Sequence, residues 1–225
     1  MWEMTWAPDG RATFEYGEEL RRGDPHIVWR RVRFSAVMNV PDPSPSHDVL
    51  ERARAYVRVD RSVVAGLPEL GEAIGAFQPV PGPAGASVAE WLAERALNEP
   101  QEATVRVRLS HGKVAGVYAL CAAQVALSRE ERAQLGGVHY RTQPAILLAQ
   151  FARADGSPGI GEEMLQHANR IAQRATRYIG ATVLVVDPFD SDTAEMWEQR
   201  FGFQDSEQPV PGSRSLHRQW LSLQS

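Results

Sequence analysis

A glycine-rich turn between an apolar run and an amphipathic segment is the feature of this sequence best suited to chemistry. The apolar run covers residues 145–152, the turn RADGSPGIG covers 153–161, and a helical pattern follows. Glycines in such a turn expose several backbone N–H groups in one direction, and the N-terminus of the next helix adds its positive dipole. The pattern predicts an anion site suited to a pyrophosphate. A lone Gly-x-Gly also occurs in ordinary tight turns, so the surrounding elements must decide between the two interpretations.

Other residues that carry chemistry are few. Asp187 follows the apolar pattern at 181–186, where it would either accept a proton from an ammonium substrate or assist the turn before Pro188. The six histidines include no pair at metal-ligand spacing. The single cysteine, Cys121, excludes a disulfide within the chain and a zinc site built from cysteines. We therefore expect no metal site.

An alternation of strands and helices must position the glycine turn. Ser87 and Asp192 each precede a helical pattern, and we expect them to be N-caps. The predicted elements are strands at 104–109, 114–125, 145–152 and 181–186, a helix at 161–178, a short helix ending at Gly202, and a closing strand at 218–223.

The first third of the sequence has a different character. Three strand patterns within residues 2–38 predict a small antiparallel meander, and the proline-rich stretch 41–46 predicts a break in the chain. We expect a β-rich module over 1–40, a linker and helical segment over 41–66, and one larger domain over 67–225.

Composition narrows the class of protein. With 225 residues, 43% hydrophobic and 23% charged, the chain has the profile of a globular protein with a sizeable core. The longest apolar runs are too short for a membrane span, and the N-terminus lacks the pattern of a secretion signal, so we expect a cytoplasmic protein without a membrane partner. The net charge of −4 lacks the basic excess typical of nucleic-acid binders.

The order of these elements resembles the GNAT family of acyl-CoA-dependent N-acetyltransferases. The resemblance rests on the glycine turn, the strand VLVVD at 183–187 and the closing triplet FGF at 201–203. The upstream stretches VAEWLAERAL, TVRVRLSHGKVAGVYALCAAQVAL and PAILLAQFAR are most similar to the toxin branch of that family, whose members acetylate aminoacyl-tRNA. The resemblance covers about residues 67–223. It implies an α/β fold with a GNAT-like mixed central sheet flanked by helices, here preceded by the small β-rich module.

The resemblance also implies a site for acetyl-CoA as co-substrate. The end of the strand at 145–152 would splay from its neighbour. Backbone groups of Phe151 and Arg153 would pair with the pantetheine arm and the acyl carbonyl. The turn residues whose backbone would hold the cofactor's pyrophosphate are Gly156, Ser157, Gly159, Ile160 and Gly161.

Three departures from the family pattern bear on this site. Gly156 stands where the family usually has Gln or Arg, and Glu162 and Glu163 place negative charge beside the expected pyrophosphate. Trp197 stands where the family often has a tyrosine that protonates the leaving thiolate, and an indole cannot act as a general acid near neutral pH. Trp197 and Asp187 are the candidate catalytic positions.

Three functions remain open at this point. The first is acetylation of a primary amine on a small molecule, and the second is toxin-like acetylation of aminoacyl-tRNA, which the net negative charge disfavours because tRNA affinity draws on phosphate neutralisation. The third is a GNAT-fold binding protein without catalysis. An antitoxin-like protein and a second copy of the chain are the further partners we consider.

Overall fold

The structure, a computed structural model, describes residues 2–6, 12–20, 28–36, 56–97, 103–137, 139–213 and 215–223. The chain divides into two compact units, Met1–His47 and Asp48–Ser225. The proline-rich stretch at 41–46, where a linker was predicted, lies outside the described residues. That the first unit can be separated from the second stays a prediction.

The first unit contains a three-stranded antiparallel sheet. Its strands are β1 (Trp2–Trp6), β2 (Ala12–Leu20) and β3 (Val28–Ala36), in that spatial order. Neighbouring strands along the chain pair with each other, so the predicted meander is confirmed.

The second unit is built on a seven-stranded mixed sheet with the order β4-β5-β6-β7-β8-β10-β9. All neighbouring strands are antiparallel except β7 and β8, which are parallel. This is the mixed α/β architecture predicted from the sequence. Its elements are β4 (Tyr56–Val59), α1 (Arg61–Gly66), α2 (Pro68–Gly75), α3 (Pro83–Glu94), β5 (Thr104–Ser110), β6 (Lys113–Ala126), α4 (Arg129–Gln134), β7 (Thr142–Arg153), α5 (Ile160–Ile179), β8 (Val183–Val186), α6 (Ser191–Phe201), β9 (Gln204–Pro209) and β10 (His217–Ser222).

Helices cover both faces of this sheet. On one face, α2 and α3 bury Leu70 and Leu92 against strand residues such as Val107. On the other face, α5 and α6 pack Met164 and Trp197 over the middle strands. Because side chains alternate between the two faces of a strand, each middle strand is apolar on both sides.

Strand β4 corrects the predicted boundary of the sheet. Residues 41–66 were expected to be a linker and a helical segment; the weakly helical pattern lies at 47–56, of which all but Tyr56 falls outside the described residues. The structure instead has a short helix, α1, at Arg61–Gly66. Tyr56–Val59, however, pairs antiparallel with β5, and Val59 is fully buried. Four residues are too few for a periodic pattern to distinguish a short edge strand from a linker.

Two helix starts also differ from the prediction. Helix α3 begins at Pro83 rather than near Ser87. The N–H groups of the first helical turn have no acceptor within the helix, so proline, which lacks an N–H, is favoured at the first position. The N-cap of α6 is Asp190 rather than Asp192, and its side chain accepts a hydrogen bond from the backbone N–H of Thr193.

Among the helices in the described part of the chain, none combines the length and the apolar character of a membrane span. Nor do the described residues bring together three or more His, Cys, Asp or Glu side chains in a group that could hold a metal ion.

Candidate active site

Strands β7 and β8 separate soon after they meet. They pair only over residues 145–147 of β7 and 183–185 of β8, whereas β7 continues to Arg153. A register shift in the pairing of β7 with β6 places a bulge at Ala149, just beyond the last β8 contact. The splay that the resemblance implied is therefore present, and it leaves one edge of β7 open.

The far end of this open edge is closed by the chain before α3. The N–H of Val80 donates to the carbonyl of Arg153 at 3.1 Å, and the N–H of Asp155 donates to the carbonyl of Gln78 at 3.0 Å. In a strand, the N–H and C=O of one residue point the same way, and residues two apart share that direction. The backbone groups of Phe151 therefore face the open edge, while the Arg153 carbonyl, one of the expected cofactor contacts, is already engaged.

The turn before α5 is organised around Gly159. This residue is the N-cap of α5 and has a left-handed conformation with φ of 79°, which favours glycine. No side chain caps the helix, so the first N–H groups of α5 have no capping acceptor. Uncapped N–H groups at a helix N-terminus are an anion site, and here they belong to Ile160 and Gly161.

The earlier part of the turn contributes less to this site than the sequence suggested. The N–H of Gly156 donates to the carboxylate of Asp155 at 2.9 Å. The N–H of Ser157 donates to the carbonyl of Ala154 at 3.3 Å. The donors that stay available for an anion are therefore those at the start of α5.

A cleft of about 600 Å³ lies where β7, the glycine turn and α6 meet. Four of the predicted cofactor-binding residues line it, and the N-terminal part of α3 and its preceding loop form another wall. A volume of this size accommodates a cofactor arm or a drug-sized ligand. Arg153 and Arg200 are its cationic lining residues, and Asp190 and Asp192 are its anionic ones. The four predicted residues are Phe151, Arg153, Gly159 and Gly161.

Trp197 lies behind the cleft rather than in its lining. Its side chain is only 6% exposed, and its ring centroid is 5.3 Å from that of Phe151. Phe201 and Phe203 are at the same distance from it on other sides. The indole therefore packs against the residue whose backbone faces the open edge, and supports that part of β7.

Glu163 is not directed at the pyrophosphate site, contrary to the expected repulsion. Its carboxylate forms an ion pair with Arg108 on β5, with Arg108 Nε and Glu163 Oε1 2.8 Å apart. The Arg108 side chain is 3% exposed, so the pair is shielded from water on one side. This contact neutralises one of the two acidic groups in the first turn of α5. Glu162 is exposed.

Asp187 lies apart from the cleft. Both of its carboxylate oxygens accept hydrogen bonds from Arg218 on β10, each at 2.7 Å. Arg218 also donates to the carbonyl of Gln124 at 2.8 Å. The pair joins the end of β8 to the neighbouring strand, and the carboxylate is not among the groups that line the cleft.

A polar cluster beneath α5 was missed by sequence reasoning. The Tyr118 hydroxyl and His167 Nδ1 are 2.6 Å apart, and the Tyr56 ring stacks on the imidazole with centroids 3.8 Å apart. Burial and the nearby Glu163 carboxylate raise the pKa of Tyr56 to about 12, and burial also raises the pKa of Tyr118. Burial and neighbouring arginines lower the pKa of His167, which favours its neutral form. The one sequence signal for this cluster is that Glu163 and His167 are four residues apart, a spacing that places both side chains on the same face of α5.

Comparisons with known proteins identify the fold. No protein-family model and no curated protein matches the sequence significantly. Among solved structures, AtaT complexed with acetyl-methionyl-tRNAfMet is similar, with 13% identity over 66% of this chain and 86% of that chain, at a TM-score of 0.54. A Tyr→Phe mutant of KacT matches with 17% identity over 67% and 87% of the two chains, at a TM-score of 0.53. A structure described as a bacterial toxin matches with 12% identity over 68% and 84%, at 0.55.

These structures share the arrangement described above at very low sequence identity. What they have in common with this chain is therefore the fold, including the mixed sheet and the helices that flank it. The larger unit has the GNAT fold in the form found in toxins of the GNAT family.

Proposed function

We propose that the protein is an N-acetyltransferase that uses acetyl-CoA to acetylate a primary amine. The observation that carries this proposal is the splay of β7 from β8 beside an uncapped helix N-terminus, with a cleft of about 600 Å³ between them. An open strand edge offers hydrogen-bonding groups to an extended amide-containing arm, and the helix N-terminus offers them to a pyrophosphate.

In this proposal the chain acts by positioning. The N–H groups of Ile160 and Gly161 bind the pyrophosphate, and Arg153 and Arg200 offer further positive charge in the same cleft. The backbone of Phe151 aligns the pantetheine arm along β7. A backbone N–H at this edge then donates to the thioester oxygen as negative charge develops on it.

The chemical step is a direct transfer. The neutral amine attacks the thioester carbonyl, the C–N bond forms and the C–S bond breaks, the electron pair leaves with the thiolate of coenzyme A, and the proton lost by the amine nitrogen passes to water. A free cysteine thiol has a pKa of ~8.5, and an alkyl thiolate of this general kind is a fair leaving group without an acid. With the indole of Trp197 at the position implied for the proton donor, we expect slow turnover rather than none.

One observation favours a more specific amine. AtaT, which shares this fold, was solved with acetyl-methionyl-tRNAfMet. A toxin-like activity on aminoacyl-tRNA is therefore our second candidate, and it implies an antitoxin-like protein partner. The α-amino group of the attached amino acid would be the acceptor.

Calorimetry with acetyl-CoA tests the site. We expect saturable binding to the wild type and at least a tenfold loss of affinity in Gly159→Glu, which adds a negative side chain at the N-cap. Gly136→Glu is the matched control, because Gly136 has a similar φ of 76° and also lies in open space. Unchanged affinity in Gly159→Glu, or an equal loss in the control, would place the site elsewhere.

A second experiment separates an enzyme from a binding protein of the same fold. Release of free thiol from acetyl-CoA is followed with small primary amines and with charged tRNA, for the wild type, Trp197→Tyr and Trp197→Phe. The two variants remove the same indole, and only tyrosine returns a hydroxyl. We expect the tyrosine variant to be the faster of the two. Acetyl-CoA binding without thiol release in any of the three would leave the binding-protein interpretation.

A further inference from the structure

A second cleft lies on the same face of the sheet as α5, near the other end of that helix. Its volume is about 460 Å³, and it is bounded by β4, β5, β6 and the C-terminal half of α5. Gly161 lines the first cleft and Ile171 is the first residue of α5 that lines the second, so about 10 residues of helix at ~1.5 Å each separate them by ~15 Å. The second cleft is therefore distinct from the proposed acetyl-CoA site.

The floor of this second cleft is apolar. Leu120 of β6 and Ile146 of β7 are 7% and 4% exposed, so they are nearly buried although they line it. Ile171 and Ala175 of α5 are half-buried, and Ile179 is 50% exposed at the rim. Contact with this apolar floor contributes little binding free energy to a nucleic-acid backbone. An aliphatic or aromatic group, by contrast, binds more tightly because its apolar surface is removed from water there.

Two arginines on neighbouring strands add positive charge to this cleft. Arg58 of β4 and Arg106 of β5 are direct cross-strand partners, and both line the cleft. Like charges in this register repel each other. Asp60 Oδ2 is 4.0 Å from Arg58 Nε and offsets part of the Arg58 charge, while Ser62 and Val63 donate to the other oxygen, Oδ1, at 2.6 and 3.0 Å.

Arg106 supplies the sharpest indication of a ligand. Its Nε is buried and finds no acceptor among the described residues. A charged, buried donor without an acceptor destabilises the native state. A hydrogen-bond acceptor placed beside it would therefore stabilise the protein. Arg170 and Arg174 of α5 add positive charge nearby, since both, like Arg106, lower the pKa of His167.

We propose that this cleft binds a small amphipathic carboxylate. The carboxylate accepts from the Arg106 guanidinium, the group that also carries the unpartnered Nε, and Arg58 stabilises the same charge. The apolar body of the ligand covers the floor formed by Leu120, Ile146 and Ile171. The proposal stands independently of the acetyltransferase activity, because it rests on a separate cleft.

Octanoate is the probe for this proposal, measured by calorimetry on the full chain. Acetate has the same head group without the apolar body, and octylammonium has the body with the opposite charge. We expect saturable binding of octanoate, at least tenfold weaker binding of acetate, and none of octylammonium. Arg106→Gln should weaken octanoate binding at least tenfold, whereas Arg129→Gln, at an exposed position on α4, should leave it unchanged.

A second variant keeps the test decisive if Arg106→Gln does not fold. Ala122 lines the cleft from an exposed position on β6, so Ala122→Phe fills the space without changing a charge. We expect it to abolish octanoate binding while the circular dichroism spectrum stays that of the wild type. The proposal is overturned if octanoate does not bind the wild type, if octylammonium binds as well, or if octanoate affinity survives in Ala122→Phe.

Discussion

Gly116 of β6 lies so close to α5 that even a methyl group would displace its neighbours. A Cβ built on this residue would be 2.4 Å from Met164 Sδ and 3.2 Å from the carbonyl oxygen of Ala152. Met164 is fully buried, so its side chain has little room to move aside.

We therefore expect Gly116→Ala to lower the free energy of unfolding by ~1–3 kcal/mol, as overpacking does in other cores. Urea denaturation measures this change. Gly75→Ala is the control, because a Cβ there meets nothing within 4 Å. A Gly116→Ala variant as stable as the control would show that Met164 and α5 adjust freely.

His167 should make stability depend on pH. Its pKa in the folded protein lies below the ordinary value of 6.5, chiefly because burial disfavours the cation. The unfolded chain therefore binds this proton at a higher pH than the folded chain does. The contribution of neutral His167 to the free energy of unfolding is fully present above pH 6.5. It is lost as the pH falls below 6.5 towards the lowered pKa.

Chemical denaturation between pH 7.5 and pH 5.5 tests this expectation. The free energy of unfolding should fall over this range in the wild type and change less in His167→Gln. His139→Gln, at an exposed position, should keep the pH dependence of the wild type. If the free energy of unfolding of His167→Gln falls with pH as steeply as that of the wild type, the pH dependence belongs to another group.

At the scale of elements, the start of α6 depends on one side chain. Asp190 and Thr193 form a reciprocal capping box, with the Thr193 N–H donating to Asp190 Oδ1 at 2.8 Å. We expect Asp190→Ala to lower the free energy of unfolding by ~1 kcal/mol and Asp192→Ala, in the first turn of the helix, to lower it less. Thermal melts of the two variants check this order.

The same cap has its own pH dependence. Hydrogen bonds from Thr193 lower the pKa of Asp190 below 3.8, so its contribution is present above that pH and is lost as the pH falls through the lowered pKa. The difference in melting temperature between the wild type and Asp190→Ala should therefore narrow in strong acid. An unchanged difference would argue against the carboxylate as the cap.

Much of the element order was predictable because the elements are long and strongly patterned. The buried strand β7, the amphipathic helix α5 and the αL glycine Gly202 that ends α6 all have local signals. Strand β9 was missed because its sequence, QDSEQP, is polar and lacks an apolar face. It is held in the sheet by its pairing with β10 rather than by its own pattern.

The candidate site was predictable in part for a similar reason. The glycine turn is a local signal of the sequence, whereas the splay of the strand before it was implied only by the family resemblance. The ion pair between Arg108 and Glu163 joins residues 55 positions apart, and the facing arginines Arg58 and Arg106 are 48 positions apart. Such contacts depend on strand register, which a single sequence does not specify.

At the scale of the whole molecule, the two compact units predict how a protease attacks the chain. We expect a protease of broad specificity to cut first within residues 41–47, between the meander and the larger unit. The product should retain the seven-stranded sheet, because all its strands lie in Asp48–Ser225. Mass spectrometry of early fragments measures this. Early cuts inside 104–190 would contradict the predicted boundary.

The position of β10 has a consequence for how the protein is made. Among the described strands it comes last along the chain, yet it lies inside the sheet between β8 and β9. While the ribosome still holds residues 217–222, the edge of β8, with its sequence VLVV, has no strand to pair with. Trp220, which is 2% exposed in the finished sheet, is then also missing from the core. An apolar strand edge in this state is a template for association between nascent chains. The seven-stranded sheet can therefore be completed only after synthesis has passed Ser222.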